Sequence, residues 1–195
     1  MGETQSTSVN GPGDRYLIHL QGCSLGCIGC FNPESWNNKV KKLVSVEELA
    51  DRILATGRSL SISGGEPFQQ PASLLAFLKY LHKDGCPFEK GVLIFSGYTQ
   101  SELKEIPEYE EILSYTSVII SGRYQIENRV YDSMLSSSNQ EFIFGDNGLI
   151  TLDGLMNQEF EVIIEDDGFK LTGFPDLSKQ SKDFLKELGV EVNIK

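Results

Sequence analysis

The stretch Arg15-Tyr16-Leu17-Ile18-His19-Leu20-Gln21-Gly22-Cys23-Ser24-Leu25-Gly26-Cys27-Ile28-Gly29-Cys30 runs from an apolar segment straight into a cysteine cluster. Arg15 to Gln21 is apolar enough for partial burial on both faces, which predicts a strand. The cluster then gathers three of the chain's four cysteines within eight residues. Gly22, Gly26 and Gly29 lie between and beside them, so the backbone can fold tightly around one centre.

Working outward, the same alternation recurs. Upstream, Ser8 to Asp14 contains Gly11, Pro12 and Gly13 and reads as a turn-rich entry. Downstream, Ser45 with Glu48 three residues later has a capping-box pattern that opens a helix from Val46 to Ala55, with Leu49, Ile53 and Leu54 on its buried side. Ser59 to Ser63 predicts a strand ending in Gly64-Gly65-Glu66-Pro67. A helix from Pro71 to His82 follows, with Leu74, Leu75, Leu78 and Leu81 at helical spacing. Val92 to Ser96 predicts a strand stopped by Gly97-Tyr98, Ser101 to Tyr115 a helix broken at Pro107, and Ser117 to Ser121 a strand stopped by Gly122. Strands alternating with helices imply an α/β fold with a parallel sheet and right-handed crossovers.

The pattern changes beyond residue 122. Arg123 to Gln140 is polar and irregular. Glu141 to Ile150 and Glu159 to Thr172 are short apolar alternations broken by Asp-Asn-Gly and Asp-Asp-Gly, which predict hairpins. A helix from Ser178 to Leu188 and a strand from Val190 to Ile194 are expected to close the chain. With no repeat and no low-complexity linker, residues 1–195 read as a single domain, a core of about 10–140 with a β-rich extension of 141–195 docked on it.

Composition sets the outer limits. A chain of 195 residues with 39% hydrophobic and 23% charged residues belongs with globular proteins. No run approaches the roughly 20 apolar residues of a membrane span, and Met1 to Asn10 lacks the basic flank and apolar core of a signal peptide. A net charge of −11 with scattered basic residues argues against nucleic-acid binding. The expected compartment is the cytoplasm, where thiols stay reduced and a cysteine cluster reads as a metal or redox site.

Cys23, Cys27 and Cys30 are three metal ligands without an evident fourth. Closed structural zinc sites take four, and neither Cys86 nor His19 sits at a finger-like spacing, so zinc would have to recruit a distant ligand. Three thiolates suit a 4Fe-4S cluster with one iron left open for another ligand. Such a cluster serves either cofactor chemistry or simple electron transfer and iron sensing. Gly64-Gly65, Ser96-Gly97-Tyr98 and Ser121-Gly122-Arg123 follow strands, as the cysteine loop does. All four turns would therefore face one site at the carboxyl edge of the sheet, where ligands gather in such folds.

These residues resemble the radical S-adenosylmethionine superfamily, and within it the activating enzymes of glycyl-radical enzymes. The resemblance is carried by Cys23-x-x-x-Cys27-x-x-Cys30, by Gly64 to Pro67, and by the entry Asn10-Gly11-Pro12-Gly13-Asp14-Arg15. Gly29-Cys30-Phe31-Asn32 with Trp36, Ser96-Gly97-Tyr98, Ser121-Gly122-Arg123-Tyr124 and Ser137-Ser138-Asn139-Gln140 are similar to the activating proteins of anaerobic ribonucleotide reductase. Gly29 stands where many superfamily members carry an aromatic, and Ser121 where the reductase activators tend to have Asp. The stretch after Gln140 has no counterpart in the smallest of them.

The resemblance implies a partial (β/α) barrel, a 4Fe-4S cluster on Cys23, Cys27 and Cys30, and S-adenosyl-L-methionine as cofactor. It implies that Gly64, Gly65, Glu66, Pro67, Ser96, Tyr98, Phe31 and Asn32 bind that cofactor. The implied partners are a glycyl-radical enzyme as substrate and an external electron donor such as flavodoxin or ferredoxin. A small molecule or peptide substrate under a lid made by the extension is the alternative.

Overall fold

The computed structural model describes residues 2–39, 43–156, 160–165 and 168–174. In chain order these form β1 (Gly2–Thr7), β2 (Arg15–Leu20), α1 (Val46–Leu54), β3 (Ser59–Gly64), α2 (Pro71–Leu81) and β4 (Val92–Ser96). They continue with α3 (Gln100–Lys104), α4 (Tyr109–Ser114), β5 (Val118–Ser121), β6 (Glu141–Phe144), β7 (Phe160–Glu165) and β8 (Gly168–Gly173). The expected helix at 178–188 and strand at 190–194 lie outside the described residues. Among the described residues no helix is long and apolar enough to cross a membrane.

Six strands make one sheet in the order β1-β2-β3-β4-β5-β6. The four central strands are parallel, and β1 and β6 run antiparallel at the two edges. The class is thus α/β with a mostly parallel sheet. Side-chain alternation along each strand sends alternate residues to opposite faces. Tyr16, Ile18, Leu60, Ile62, Val92, Ile94 and Ile119 join one core with Leu49, Ile53, Leu74, Leu78, Leu103 and Ile112 from the four helices. Leu93, Val118 and Ile120 join a second core with Met134, Ile150, Leu155 and Phe174. Among the described residues, α1 to α4 therefore cover one face, and the loops after β5 with the end of the β7–β8 hairpin cover the other.

Local chemistry explains most boundaries. The Ser45 hydroxyl accepts the Glu48 N–H at 3.1 Å and starts α1. The expected reciprocal bond is replaced, because the Glu48 carboxylate instead pairs with Arg52 one turn on, at 2.7 Å. A complete capping box forms at α3, between Thr99 and Glu102. Helix α3 and helix α4 are the two pieces of the segment broken at Pro107.

One reading is corrected by the structure. Asp146-Asn147-Gly148 does not join two strands of a hairpin, since β6 before it pairs with β5. The second hairpin does form, β7 pairing antiparallel with β8 on either side of the other Asp-Asp-Gly. Strand β1, which contains no large apolar residue, was not signalled by its sequence; it forms by completing the hydrogen-bond ladder of β2.

The amino ends of the parallel strands are locked by one side chain. Arg15 is fully buried, and its guanidinium donates to Ser61 Oγ at 2.7 Å and to the carbonyls of Pro12, Lys90, Leu60 and Gly91. That ties the Gly-Pro-Gly entry to the starts of β3 and β4 and leaves the carboxyl ends free for chemistry.

Candidate functional site

The four turns expected at the carboxyl edge do meet. A cavity of about 330 Å³ is lined by Cys23, Cys27 and Cys30 from the loop after β2, Gly64 to Glu66 after β3, Ser96 and Gly97 after β4, and Gly122 and Tyr124 after β5. Phe31 and Asn32 line it too. Pro67 and Tyr98 do not. Pro67 is buried and opens a 3-10 turn, Pro67–Gln69. Tyr98 acts through its main chain: its carbonyl accepts the Gly122 N–H and the Ser121 hydroxyl, each at 2.8 Å, and its ring carries the Arg123 guanidinium at 5.8 Å.

The cysteine loop is held by the neighbouring strand ends rather than by its own secondary structure. Gly65 N–H donates to the Leu20 carbonyl and Glu66 N–H to the Gly22 carbonyl, both at 2.8 Å. A Cβ on Gly65 would collide with that Gly22 carbonyl, and one on Gly97 with the Leu25 side chain. Both glycines exist to let the loop lie directly on the sheet edge. The Gln69 amide closes a reciprocal pair with Ser24, receiving its N–H at 3.1 Å and donating to its hydroxyl at 2.6 Å. Sequence reading missed Gln69, although its place two residues after Pro67 was a usable signal.

Glu66 is buried, and its carboxylate accepts three bonds: Phe68 N–H at 3.0 Å, Ser96 hydroxyl at 2.9 Å and Gly97 N–H at 2.7 Å. Burial pushes its carboxyl above the ordinary range, with those three donors opposing. The side chain thereby fixes the end of β4 to the end of β3. What the Gly64–Glu66 segment offers a ligand is chiefly its main chain.

The three thiols are half-buried and free of disulfides. Burial, the largest cause, pushes Cys27 and Cys30 up. Several N–H groups point at the sulfurs in opposition: Asn32 N–H reaches Cys30 Sγ at 3.4 Å, the Trp36 side chain also donates to Cys30, and Tyr124 N–H donates to Cys27. Donors to sulfur are what stabilise thiolates and tune an iron-sulfur centre. Among the described residues no three His, Cys, Asp or Glu side chains are placed to hold a single metal ion. Three thiols lining one cavity are one short of the four that a closed zinc site takes, and they match a 4Fe-4S cluster held by one thiolate on each of three irons. The donor set fits the cluster. Cys86 is exposed and lies between α2 and β4, near the amino ends of the strands, away from the cavity.

Other lining residues were not singled out as site residues. His19 ends β2 beside Ser63. Asn10 is buried and bridges Thr7 and Thr172 through its amide nitrogen, at 3.0 and 2.7 Å. Thr172, Gly173 and Phe174 come from β8 and its end. For the last three no sequence signal exists, because only the tertiary fold brings them to the cavity.

Residues 9–143 match the family of 4Fe-4S single cluster domains. The chain is 34% identical over 125 residues to the anaerobic ribonucleoside-triphosphate reductase-activating protein of Vibrio cholerae, covering 60% of this chain and 77% of that protein. It is 33% identical over 122 residues to the protein of the same name from Enterobacteria phage T4, covering 60% and 75%. It is 38% identical over 144 residues to the pyruvate formate-lyase-activating enzyme of Staphylococcus epidermidis, covering 70% and 57%. With the family match over residues 9–143 spanning the cysteine loop and the other three strand-end turns, the chain belongs to the 4Fe-4S single cluster domain family and, within it, to the radical S-adenosylmethionine activating proteins.

Proposed function

We propose that this protein activates a glycyl-radical enzyme, an anaerobic ribonucleotide reductase first among candidates, by using a 4Fe-4S cluster and S-adenosylmethionine. The observation that carries the reading is the meeting of three thiols with the Gly64–Glu66 and Ser96–Gly97 strand ends on one cavity. Cys23, Cys27 and Cys30 hold the cluster. The main chain of Gly64, Gly65 and Glu66 with the Ser96 hydroxyl receives the methionine end of the cofactor, and Phe31 and Asn32 flank it. Pro67 sets the path of the chain leaving Glu66, and Tyr98 braces the turns after β4 and β5. Held there and given one electron from an outside donor, the cluster would supply reductive cleavage of S-adenosylmethionine, the chemistry needed to remove a hydrogen atom from a substrate glycine.

This chain's own residues shape where that happens. Leu25 lies over Gly97, and Phe31, Phe95 and Phe174 form an aromatic wall with ring centroids 6.0 to 6.2 Å apart. Together they exclude water from a reactive intermediate.

The sheet, with the four described α-helices on one face, is read as a partial (β/α) barrel whose inner face bears the cavity, in a single domain of residues 1–195. The electron comes from a donor such as flavodoxin or ferredoxin, in the reducing cytoplasm that keeps three thiols free.

The test is anaerobic reconstitution with iron and sulfide, reduction, and addition of S-adenosylmethionine. The expected product is 5′-deoxyadenosine, and its absence defeats the reading. Cys23→Ala, Cys27→Ala and Cys30→Ala are each expected to lose cluster iron, measured per chain, while Cys86→Ala keeps it; equal loss in the Cys86 variant would overturn the ligand assignment.

A further inference from the structure

The stretch shared with the family ends at residue 143, yet part of the cavity wall comes from well beyond it. Thr172, Gly173 and Phe174 line the same space as the cysteines. The Phe174 ring is buried, standing edge-on to Phe31 at 6.2 Å and tilted against Phe95 at 6.0 Å. Its carbonyl accepts from Arg129 at 3.4 Å. Thr172 Oγ1 accepts the Asn10 amide N–H at 2.7 Å, and the Glu161 carboxylate on β7 accepts Ser8 N–H at 2.9 Å and Ser8 hydroxyl at 2.7 Å. Both strands of the hairpin are thus latched to the segment that leads into β2.

We propose that the Thr172–Phe174 end of β8 is the specificity-determining wall of the cavity, with Phe174, set between Phe31 and Phe95, limiting how bulky a substrate residue can reach the reacting end. This rests on the radical-activating reading above. An aromatic ring fixed on two sides by other rings is a rigid stop rather than an adaptable surface. A glycine on a peptide backbone passes such a stop and a branched side chain does not. The neighbouring Asn10 and Thr172 supply uncharged hydrogen-bonding groups of the kind a peptide backbone uses. One methylene misfit in an apolar slot is worth roughly 10- to 200-fold in discrimination, so a whole side chain is ample for selection.

The experiment uses reconstituted protein with S-adenosylmethionine and two fluorescein-labelled peptides that differ only in carrying glycine or leucine at the centre. Binding is read by polarisation before reduction. The wild type is expected to prefer the glycine peptide by about tenfold or more, and Phe174→Ala to bring the ratio to about threefold or less. Phe174→Leu, which keeps an apolar side chain against Phe31 and Phe95, should give an intermediate ratio and serves where the Ala variant does not fold. A ratio unchanged in the folded variants, or a wild type that does not distinguish the peptides, overturns the proposal.

After reduction, a peptide with dideuterated glycine reports transfer of deuterium to 5′-deoxyadenosine. Discrimination that depends on Phe174 without any 5′-deoxyadenosine would leave the wall standing and defeat the radical reading. Product formation with a ratio indifferent to Phe174 would do the reverse.

Discussion

The two ends of the parallel sheet are each tied by an arginine, and the two ties are built on opposite principles. At the amino ends Arg15 is buried among neutral acceptors, one hydroxyl and four carbonyls. Burial brings its pKa down to about 9, so it stays charged at neutral pH. At the carboxyl ends Arg123 is partly exposed and pairs with the Glu102 carboxylate, reaching the Gly97 carbonyl at 3.2 Å as well. The first arrangement fixes backbone with little give, because the Leu60 and Gly91 carbonyls and the Ser61 hydroxyl would be left unpaired in a dry interior. The second joins two turns through long side chains that solvent can relax. The rigid end is scaffold, and the adjustable end borders the site.

Arg15→Met is the strongest way to break this contrast. It keeps chain length and apolar volume but withdraws the donors from three buried acceptors, Ser61 Oγ and the Leu60 and Gly91 carbonyls, and we expect a loss of about 4 kcal/mol. At roughly 2–4 °C per kcal/mol for a chain of this size, that lowers Tm by about 10 °C. Thermal unfolding of the metal-free protein measures it. A fall of less than about 3 °C would show that the Gly-Pro-Gly entry does not depend on Arg15.

Gly65→Ala tests the other end through packing. The added methyl would meet the Gly22 carbonyl and approach the Gly22 nitrogen to 2.9 Å, so backbone must move. Overpacking of this kind costs about 2 kcal/mol. The displaced atoms belong to the cysteine loop, so iron retained per chain after reconstitution should fall well below wild type. Full iron retention would mean that the loop adjusts independently of the strand end.

How much of this was legible beforehand follows from where each feature gets its energy. Strands β2, β4 and β5 are buried on both faces, which favours continuous apolar runs such as Leu17-Ile18 and Val92-Leu93-Ile94, while β3 alternates Leu60 and Ile62 with buried serines; both patterns are visible in sequence. The cysteine loop and the Gly64-Gly65 turn were visible because chemistry restricts which residues can stand there. Strand β1 was not, since Gly2 to Thr7 owes its form to the partner it pairs with. Asp146-Asn147-Gly148 misled because a turn signal states that the chain bends, not which strand it will pair with. Thr172 and Phe174 were silent for a related reason. Their roles depend on contacts with Asn10, Phe31 and Phe95, far away in sequence, and no local pattern encodes such a meeting.

Glu102→Gln gives the smallest effect and the sharpest view of the adjustable tie. Arg123, the largest cause, together with the Thr99 N–H holds the Glu102 carboxyl down to about 2. A folded pKa below the unfolded value of 4.5 means that the unfolded chain takes up its proton first as pH falls. The stabilisation is therefore present above pH 4.5 and is lost as pH drops toward 2. With Glu102 41% and Arg123 38% exposed, solvent screens most of the attraction, and the pair is worth under about 1 kcal/mol at neutral pH. Urea unfolding of wild type and Glu102→Gln should differ by about 0.5 kcal/mol at pH 7, converge as pH falls through 4.5 toward 2, and narrow at pH 7 in 1 M salt. A difference that survives both acid and salt would mean that the amide sits differently from the carboxyl against the Thr99 N–H, and the tie at this end would then be helix capping rather than ion pairing.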